Sequence, residues 1–149
     1  MVKDTLHYLF LNELPKYAYV LGTLGTINLQ LFDVFNEYGI KISYPSIEIC
    51  EKIQCIIYQI KNTASHDMDE LAEEFTFLMK ELQKQAGEDI VFILGCTELS
   101  LLDKTKFKKF HYIDPLEILG LVAILKSGGR LQMNKLPYEY DVIKAISKF

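Results

Sequence analysis

The stretch DIVFILGCTE, residues 89–98, decides the fold. Its first six residues, Asp89 to Leu94, are almost wholly apolar, which is typical of a strand in the middle of a parallel sheet. Gly95 follows as the turn residue, and Cys96 to Glu98 lie on the loop that joins this strand to the next helix. Ligands on open α/β sheets bind at the carboxyl ends of the strands, so the stretch predicts both a central strand and a candidate site.

A similar strand and turn lie earlier, in residues 17–26 (YAYVLGTLGT). Tyr17 to Gly22 is predicted as a buried strand, and two glycines within four residues, Gly22 and Gly25, indicate a tight turn. A helix is expected to begin near Thr26 and to end at Gly39, because glycine is favoured just past a helix C-terminus. The apolar positions that define the expected buried face of this helix are Ile27, Leu31, Val34, Phe35 and Tyr38.

The remaining pattern alternates between strands and helices. A strand is predicted from Ile40 to Tyr44, then an apolar-faced helix that Ser46 can cap, then a helix over residues 67–86. A short strand from His111 to Ile113 precedes a helix, Leu116 to Leu125, that is apolar nearly all round and must be covered by this domain or by a partner. The alternation predicts an α/β fold: a three-layer sandwich with a roughly four-stranded, mainly parallel sheet.

Three segments are predicted in the chain of 149 residues. They are an N-terminal helix (1–15), an α/β lobe (16–126) and a C-terminal tail with a short helix (127–149). The apolar positions of the N-terminal helix are Leu6, Leu9, Phe10 and Leu14.

Composition and charge argue against several classes of protein. The net charge of −4 gives no support for nucleic-acid binding, and no apolar run approaches the ~18 residues of a membrane-spanning helix. Three cysteines with no CxxC pair, and an N-terminus without a signal-peptide pattern, favour a reducing, cytoplasmic location. A cluster of lysines lies at positions 104, 106, 108 and 109. The preferred interpretation of this cluster (Lys104, Lys106, Lys108 and Lys109) is a solvated loop, and the alternative is an anion- or partner-binding patch.

Cys96 is the candidate catalytic residue. A thiol where a strand meets a helix has its thiolate favoured by the helix N-terminus, and it can act as nucleophile or base. The alternative is a buried, inert cysteine. Cys50 and Cys55 are interpreted as core thiols rather than a metal pair, and the histidines share no ligand spacing, so we expect neither a metal nor a cofactor.

Thr23, Gly25 and Thr26 form the candidate binding loop. Their backbone amides and two hydroxyls face the start of the predicted helix, where the dipole favours an anion such as a carboxylate. The alternative is a plain glycine turn with a threonine cap.

Four motifs, taken in order, resemble the aspartate/glutamate racemase superfamily. Residues 93–99 (ILGCTEL) resemble its second cysteine motif, and residues 20–26 (VLGTLGT) resemble the motif that opens its second lobe. Residues 38–45 (YGIKISYP) and 112–115 (YIDP) resemble the strand that follows and the late aspartate motif. With glutamate at position 98, the cysteine motif is similar to that of the aspartate-racemase-like branch. Together the four motifs span about Lys16 to Leu125.

The resemblance implies a two-lobed α/β fold with the substrate between lobes, and an isomerase that uses neither pyridoxal phosphate nor a metal. It implies that Cys96 is the acid/base of the second lobe. It also implies that the substrate, a small acidic amino acid or other small carboxylate, is held by Thr23, Gly25, Thr26, Thr97 and Glu98.

The resemblance covers the second lobe only, and the first lobe with its own cysteine has no counterpart among these motifs. Three interpretations therefore stay open: a racemase completed by self-association or by another chain, a lone lobe that binds a small carboxylate without turnover, and an interaction protein. A homodimer or larger assembly is expected, because the apolar helix and the missing lobe both indicate a face that needs covering.

Overall fold

The computed structural model describes residues 2, 3, 5, 15–62, 68–87 and 89–128. Contacts between residues divide the chain into two compact units. One unit is Pro15–Asp114, and the other combines Met1–Leu14 with Pro115–Phe149.

The larger unit alternates strands with helices along the chain. Its elements are β1 (Tyr17–Leu21), α1 (Leu24–Asn28), a first 3₁₀ helix (Asp33–Tyr38), β2 (Lys41–Ser43), α2 (Ile47–Asn62), α3 (Met68–Ala86), β3 (Val91–Leu94), a second 3₁₀ helix (Thr97–Leu101) and β4 (Tyr112–Ile113). The smaller unit contains α4 (Pro115–Lys126).

The four strands form one sheet in the order β2-β1-β3-β4, and every pair is parallel. The predicted α/β class and four-stranded sheet are therefore confirmed. Leu21 of β1 lies opposite Leu94 of β3, so these two strands end side by side. The strand order reverses between β1 and β3, and such a switch point is where open α/β sheets bind ligands.

Both faces of the sheet are buried. On one face, Leu21, Phe92 and Leu94 join a core that includes the apolar sides of α2 and α3. On the other face, Ala18, Val20 and Ile93 are fully enclosed, at 0% exposure. Burial on both faces explains the nearly continuous apolar sequence of β3.

The predicted helix over residues 26–39 is wrong. The helix ends at Asn28, Gln30 takes a positive φ of 49°, and a separate 3₁₀ helix follows. Phe32 and Phe35 are buried with their rings edge to face, 5.6 Å apart. The turn lets Phe32, which is not on the predicted face, be buried beside Phe35, and the large apolar surface of the two rings favours this arrangement. Leu31, Val34 and Tyr38 from that predicted face are exposed.

Other helix predictions agree with the structure where it describes them. The apolar side predicted for α3 is buried, and Gly87 follows that helix with a positive φ of 102°. Gly39 likewise ends the first 3₁₀ helix in the left-handed conformation. The apolar positions of the predicted N-terminal helix, the first residue of the helix predicted over 67–86 and the short helix of the tail lie outside the described residues.

Helix α4 is apolar in sequence, and part of its surface is exposed. Ile118 and Val122 are buried, whereas Leu116, Leu119 and Ile124 are 36–43% exposed. In the part of the chain that the structure describes, no helix is both long and apolar enough to cross a bilayer.

Candidate active site

The two motif loops meet at the switch point of the sheet. The Gly95 amide donates a hydrogen bond of 2.7 Å to the Leu21 carbonyl oxygen, which joins the loop after β3 to the end of β1. A Cβ added to Gly95 would lie 3.3 Å from Cγ2 of Thr26. The loop bearing Cys96 and the loop bearing Thr23 and Thr26 are therefore neighbours, because only glycine at position 95 lets them approach so closely.

Replacing Gly95 with alanine is expected to lower the free energy of unfolding by about 1–3 kcal/mol, because the interior is already filled. The new Cβ would lie 2.8 Å from Cγ1 of buried Val20 and 3.1 Å from the Leu21 carbonyl oxygen. That oxygen cannot retreat without losing its hydrogen bond to residue 95.

Gly25→Ala is the matched control, since its Cβ would meet only Oγ1 of Thr23, at an ordinary 3.5 Å. Urea unfolding of both variants measures the difference. A Gly95→Ala midpoint equal to that of Gly25→Ala would show that this close approach does not constrain the two loops.

The threonine loop is held by its own hydrogen bonds. Thr23 caps α1 and accepts a hydrogen bond of 3.3 Å from the Thr26 amide, and the two hydroxyl oxygens are 3.2 Å apart. The Leu24 amide donates to Oε1 of Gln54 in α2, at 3.0 Å. Two amides expected to face an anion are thus already bonded within the protein. Because α1 has only five residues, its dipole is also weaker than the sequence interpretation assumed. One hydroxyl proton is used between the two threonines, so the other remains as the candidate hydroxyl donor of this loop.

Cys96 belongs to a cluster with Thr97, Glu98 and Lys61, which we call the thiol cluster. The Cys96 thiol donates to Oε2 of Glu98 at 2.8 Å, and the Thr97 hydroxyl donates to the same oxygen at 3.2 Å. Lys61, near the end of α2, forms an ion pair of 3.1 Å with Oε1 of Glu98. The Glu98 carboxylate therefore connects the sulfur to a cation from another element.

Cys96 rests as a thiol, which corrects the expectation of a favoured thiolate. The side chain is partly buried and packs against the hydrophobic core. This burial, followed by the hydrogen bond to anionic Glu98, raises the pKa of Cys96 to about 11. The second 3₁₀ helix has five residues, and its short dipole does not outweigh these two effects.

The pKa of Glu98 is shifted in the opposite direction, downwards. The hydrogen bond from Cys96 is the largest cause that lowers the pKa of Glu98, to about 2, and the contacts from Lys61 and Thr97 add to it. Near neutral pH the cluster therefore holds a neutral thiol, a carboxylate and an ammonium group.

A third polar group lies after β4. Asp114 is 1% exposed, and its carboxylate accepts hydrogen bonds from Ser100 at 2.8 Å and from Lys104 at 2.6 Å. Ser100 is in the second 3₁₀ helix, so this network fastens the segment after Cys96 to the end of β4.

The lysine cluster is not a uniformly solvated loop. Lys104 pairs with buried Asp114, and Lys106 forms an ion pair of 2.9 Å with Glu73. Lys109 lies over the ring of Phe110, at 5.1 Å from its centroid. Three of the four lysines thus have specific contacts.

Sequence reasoning missed the contribution of α2. Gln54 and Lys61 are two helical turns apart and so lie on the same side of that helix, where each contacts one of the motif loops. Their spacing is the signal that could have identified them. Of the cysteines on this helix, Cys50 is buried as expected, but Cys55 is exposed. No group of three His, Cys, Asp or Glu side chains within the described residues could hold a metal ion.

Comparison with known proteins shows the fold. No family model matches the chain. Its structure is similar to that of the Picrophilus torridus aspartate racemase, with a TM-score of 0.69 and 18% sequence identity. The match covers 89% of this chain and 54% of that chain, so this chain spans about half the length of the solved structure. The chain therefore has an α/β fold like that of about half of an aspartate racemase.

Proposed function

We propose that this chain provides one catalytic half of a cofactor-independent amino-acid isomerase, in which Cys96 transfers the α-proton of a small acidic amino acid. The observation that carries the proposal is the position of Cys96: it lies on the loop after β3, at the switch point of the sheet, with its thiol bonded to a carboxylate, and this loop approaches the threonine loop at Gly95. The fold similarity to an aspartate racemase supports the same reaction class.

The reaction removes a proton from the α-carbon of the amino acid, which is only weakly acidic. In one direction the Cys96 thiolate takes the α-proton, an S–H bond forms, and the electron pair of the broken C–H bond stays on the substrate as a carbanion. In the other direction the Cys96 thiol gives its proton to that carbanion. Fixed donors near the substrate carboxylate stabilise this charge at no reorganisation cost. For this role we propose the hydroxyl proton that the Thr23–Thr26 pair does not use internally, and the backbone amide of Thr97.

Inversion of a carbon needs an acid/base on each face. Cys96 serves one face, and neither Cys50 nor Cys55 belongs to the thiol cluster. We therefore propose that a second copy of this chain or a complementing chain supplies the other face. Light scattering at micromolar concentration is expected to give at least the mass of a dimer, whereas a monomer would contradict self-association.

Deuterium exchange at the α-carbon tests the proposal directly, because exchange needs only one base. We expect the protein to incorporate deuterium from the solvent into L- or D-aspartate, or into another member of a panel of small acidic amino acids. Proton NMR of the α-position measures this exchange. No exchange into any member of the panel would contradict a catalytic role.

The second candidate is a binding protein without turnover. The raised pKa of Cys96 favours it, since few molecules carry the thiolate at neutral pH. A rise of the melting temperature with an acidic amino acid, in the absence of deuterium exchange, would support this candidate instead.

A further inference from the structure

Three side chains hold the Glu98 carboxylate in the thiol cluster: Cys96, Thr97 and Lys61. Its contacts with Cys96 and Thr97 join residues within two positions of each other in sequence. The contact with Lys61 comes from a different element, the end of α2. It is also made to the other carboxylate oxygen: Oε1 faces Lys61, while Oε2 faces the sulfur and the Thr97 hydroxyl.

This division of the two oxygens orients the carboxylate. A glutamate side chain has several rotatable bonds, and fixing it in one geometry costs conformational entropy. With Oε1 held by the ammonium group, rotation of the carboxylate that would take Oε2 away from the sulfur also breaks the ion pair.

We propose that Lys61 is a positioning residue, which holds Glu98 against Cys96 and so keeps Cys96 in the resting state as a thiol, the proton donor of the site. The statement about proton donation rests on the proposed function, whereas the control of the thiol by Lys61 through Glu98 does not. In this proposal Lys61 does not contact the substrate, so it is a positioning residue and not a catalytic one.

Among the described residues, the charged side chains that act on Cys96 are Glu98 and Lys61. Glu98 opposes the thiolate and Lys61 favours it. Tyr58, also on α2, lies beside Lys61, whose ammonium group is 5.9 Å from the centre of the tyrosine ring. The charge of Lys61 and its positioning of Glu98 therefore act on the thiol in opposite directions, and that opposition makes the proposal testable.

The test is a titration of the Cys96 thiol by its thiolate absorbance and by its rate of alkylation with iodoacetamide. Every variant carries Cys55→Ser, because Cys55 is exposed, and the same protein with Cys96→Ala is subtracted as background. Glu98→Gln removes the anion, and we expect the titration midpoint to fall by on the order of one pH unit.

Lys61→Met separates the two roles of the lysine. If Lys61 acts on Cys96 only as a nearby positive charge, its removal raises the midpoint. If it positions Glu98, as we propose, its removal releases the carboxylate and lowers the midpoint towards that of Glu98→Gln. Lys61→Arg keeps the ion pair and is expected to restore the wild-type value, and Lys52→Met is the control on the exposed side of α2.

A midpoint that rises or stays unchanged in Lys61→Met overturns the proposal, and so does an unchanged midpoint in Glu98→Gln. The titration needs no substrate. If the protein shows the expected shifts but no deuterium exchange, the positioning role of Lys61 stands and the proposed function is wrong. If it shows deuterium exchange without the expected shifts, the proposed function stands and the positioning role is wrong.

Discussion

Replacing Lys104 with methionine is expected to lower the free energy of unfolding by about 3–5 kcal/mol, because it removes the ammonium group that pairs with the buried Asp114 carboxylate. The Asp114 carboxylate is 0% exposed, and the Lys104 ammonium group lies 2.6 Å from it. Methionine keeps most of the length of the lysine side chain, so packing changes little. Urea unfolding followed by circular dichroism measures the loss.

Lys108→Met is the matched control for this experiment. Lys108 belongs to the same lysine cluster but is exposed, and its replacement is expected to change stability by less than about 0.5 kcal/mol. The origin of the loss is checked in the background of Asp114→Asn, where residue 114 carries no charge and Lys104→Met should cost much less. Equal losses in both backgrounds would show that the lysine stabilises the protein through packing rather than through its charge.

The central elements could be predicted because their signals are local. The apolar run that ends at Leu94 has the length and composition of a buried parallel strand, and it is β3, at the middle of the sheet. The apolar sides of α2 and α3 are likewise buried as predicted. Gly39 and Gly87 mark real chain reversals because both adopt a positive φ that other residues avoid.

The segment after α1 could not be predicted in the same way. Positions Leu31, Val34 and Tyr38 have helical spacing, yet they are exposed because the chain turns at Gln30 and buries Phe32 with Phe35 instead. Periodicity records which residues could share a face, and packing against the rest of the molecule decides which face is used.

The protonation state of Cys96 depends in part on burial and on Lys61, which is far away in sequence. The position of the thiol, after a strand and before a helical turn, was visible in the motif. Its ionisation was not, because it depends on burial against the core and on the charges of Glu98 and Lys61. Parallel strands bring the ends of β1 and β3 together, but only the folded structure shows which side chain of α2 reaches the same place.

Replacing Cys96 with alanine is expected to slow deuterium exchange at the substrate α-carbon by about 10²–10⁴-fold, the usual contribution of a positioned acid or base. Cys96→Ser is expected to slow the exchange to a similar extent, because a hydroxyl is a much weaker acid than a thiol. Cys55→Ala is the matched control and should retain full exchange, since Cys55 is exposed on α2. A thermal melt of each variant shows whether the fold is kept.

The pH dependence of the wild-type protein adds a second, independent requirement. Removal of the α-proton uses the thiolate, and the pKa of Cys96 is raised to about 11. The exchange rate should therefore rise by about tenfold per pH unit above neutral, until it levels off near that pKa. A rate that is flat between pH 7 and 10, or exchange that persists in Cys96→Ala, would assign the base to another group.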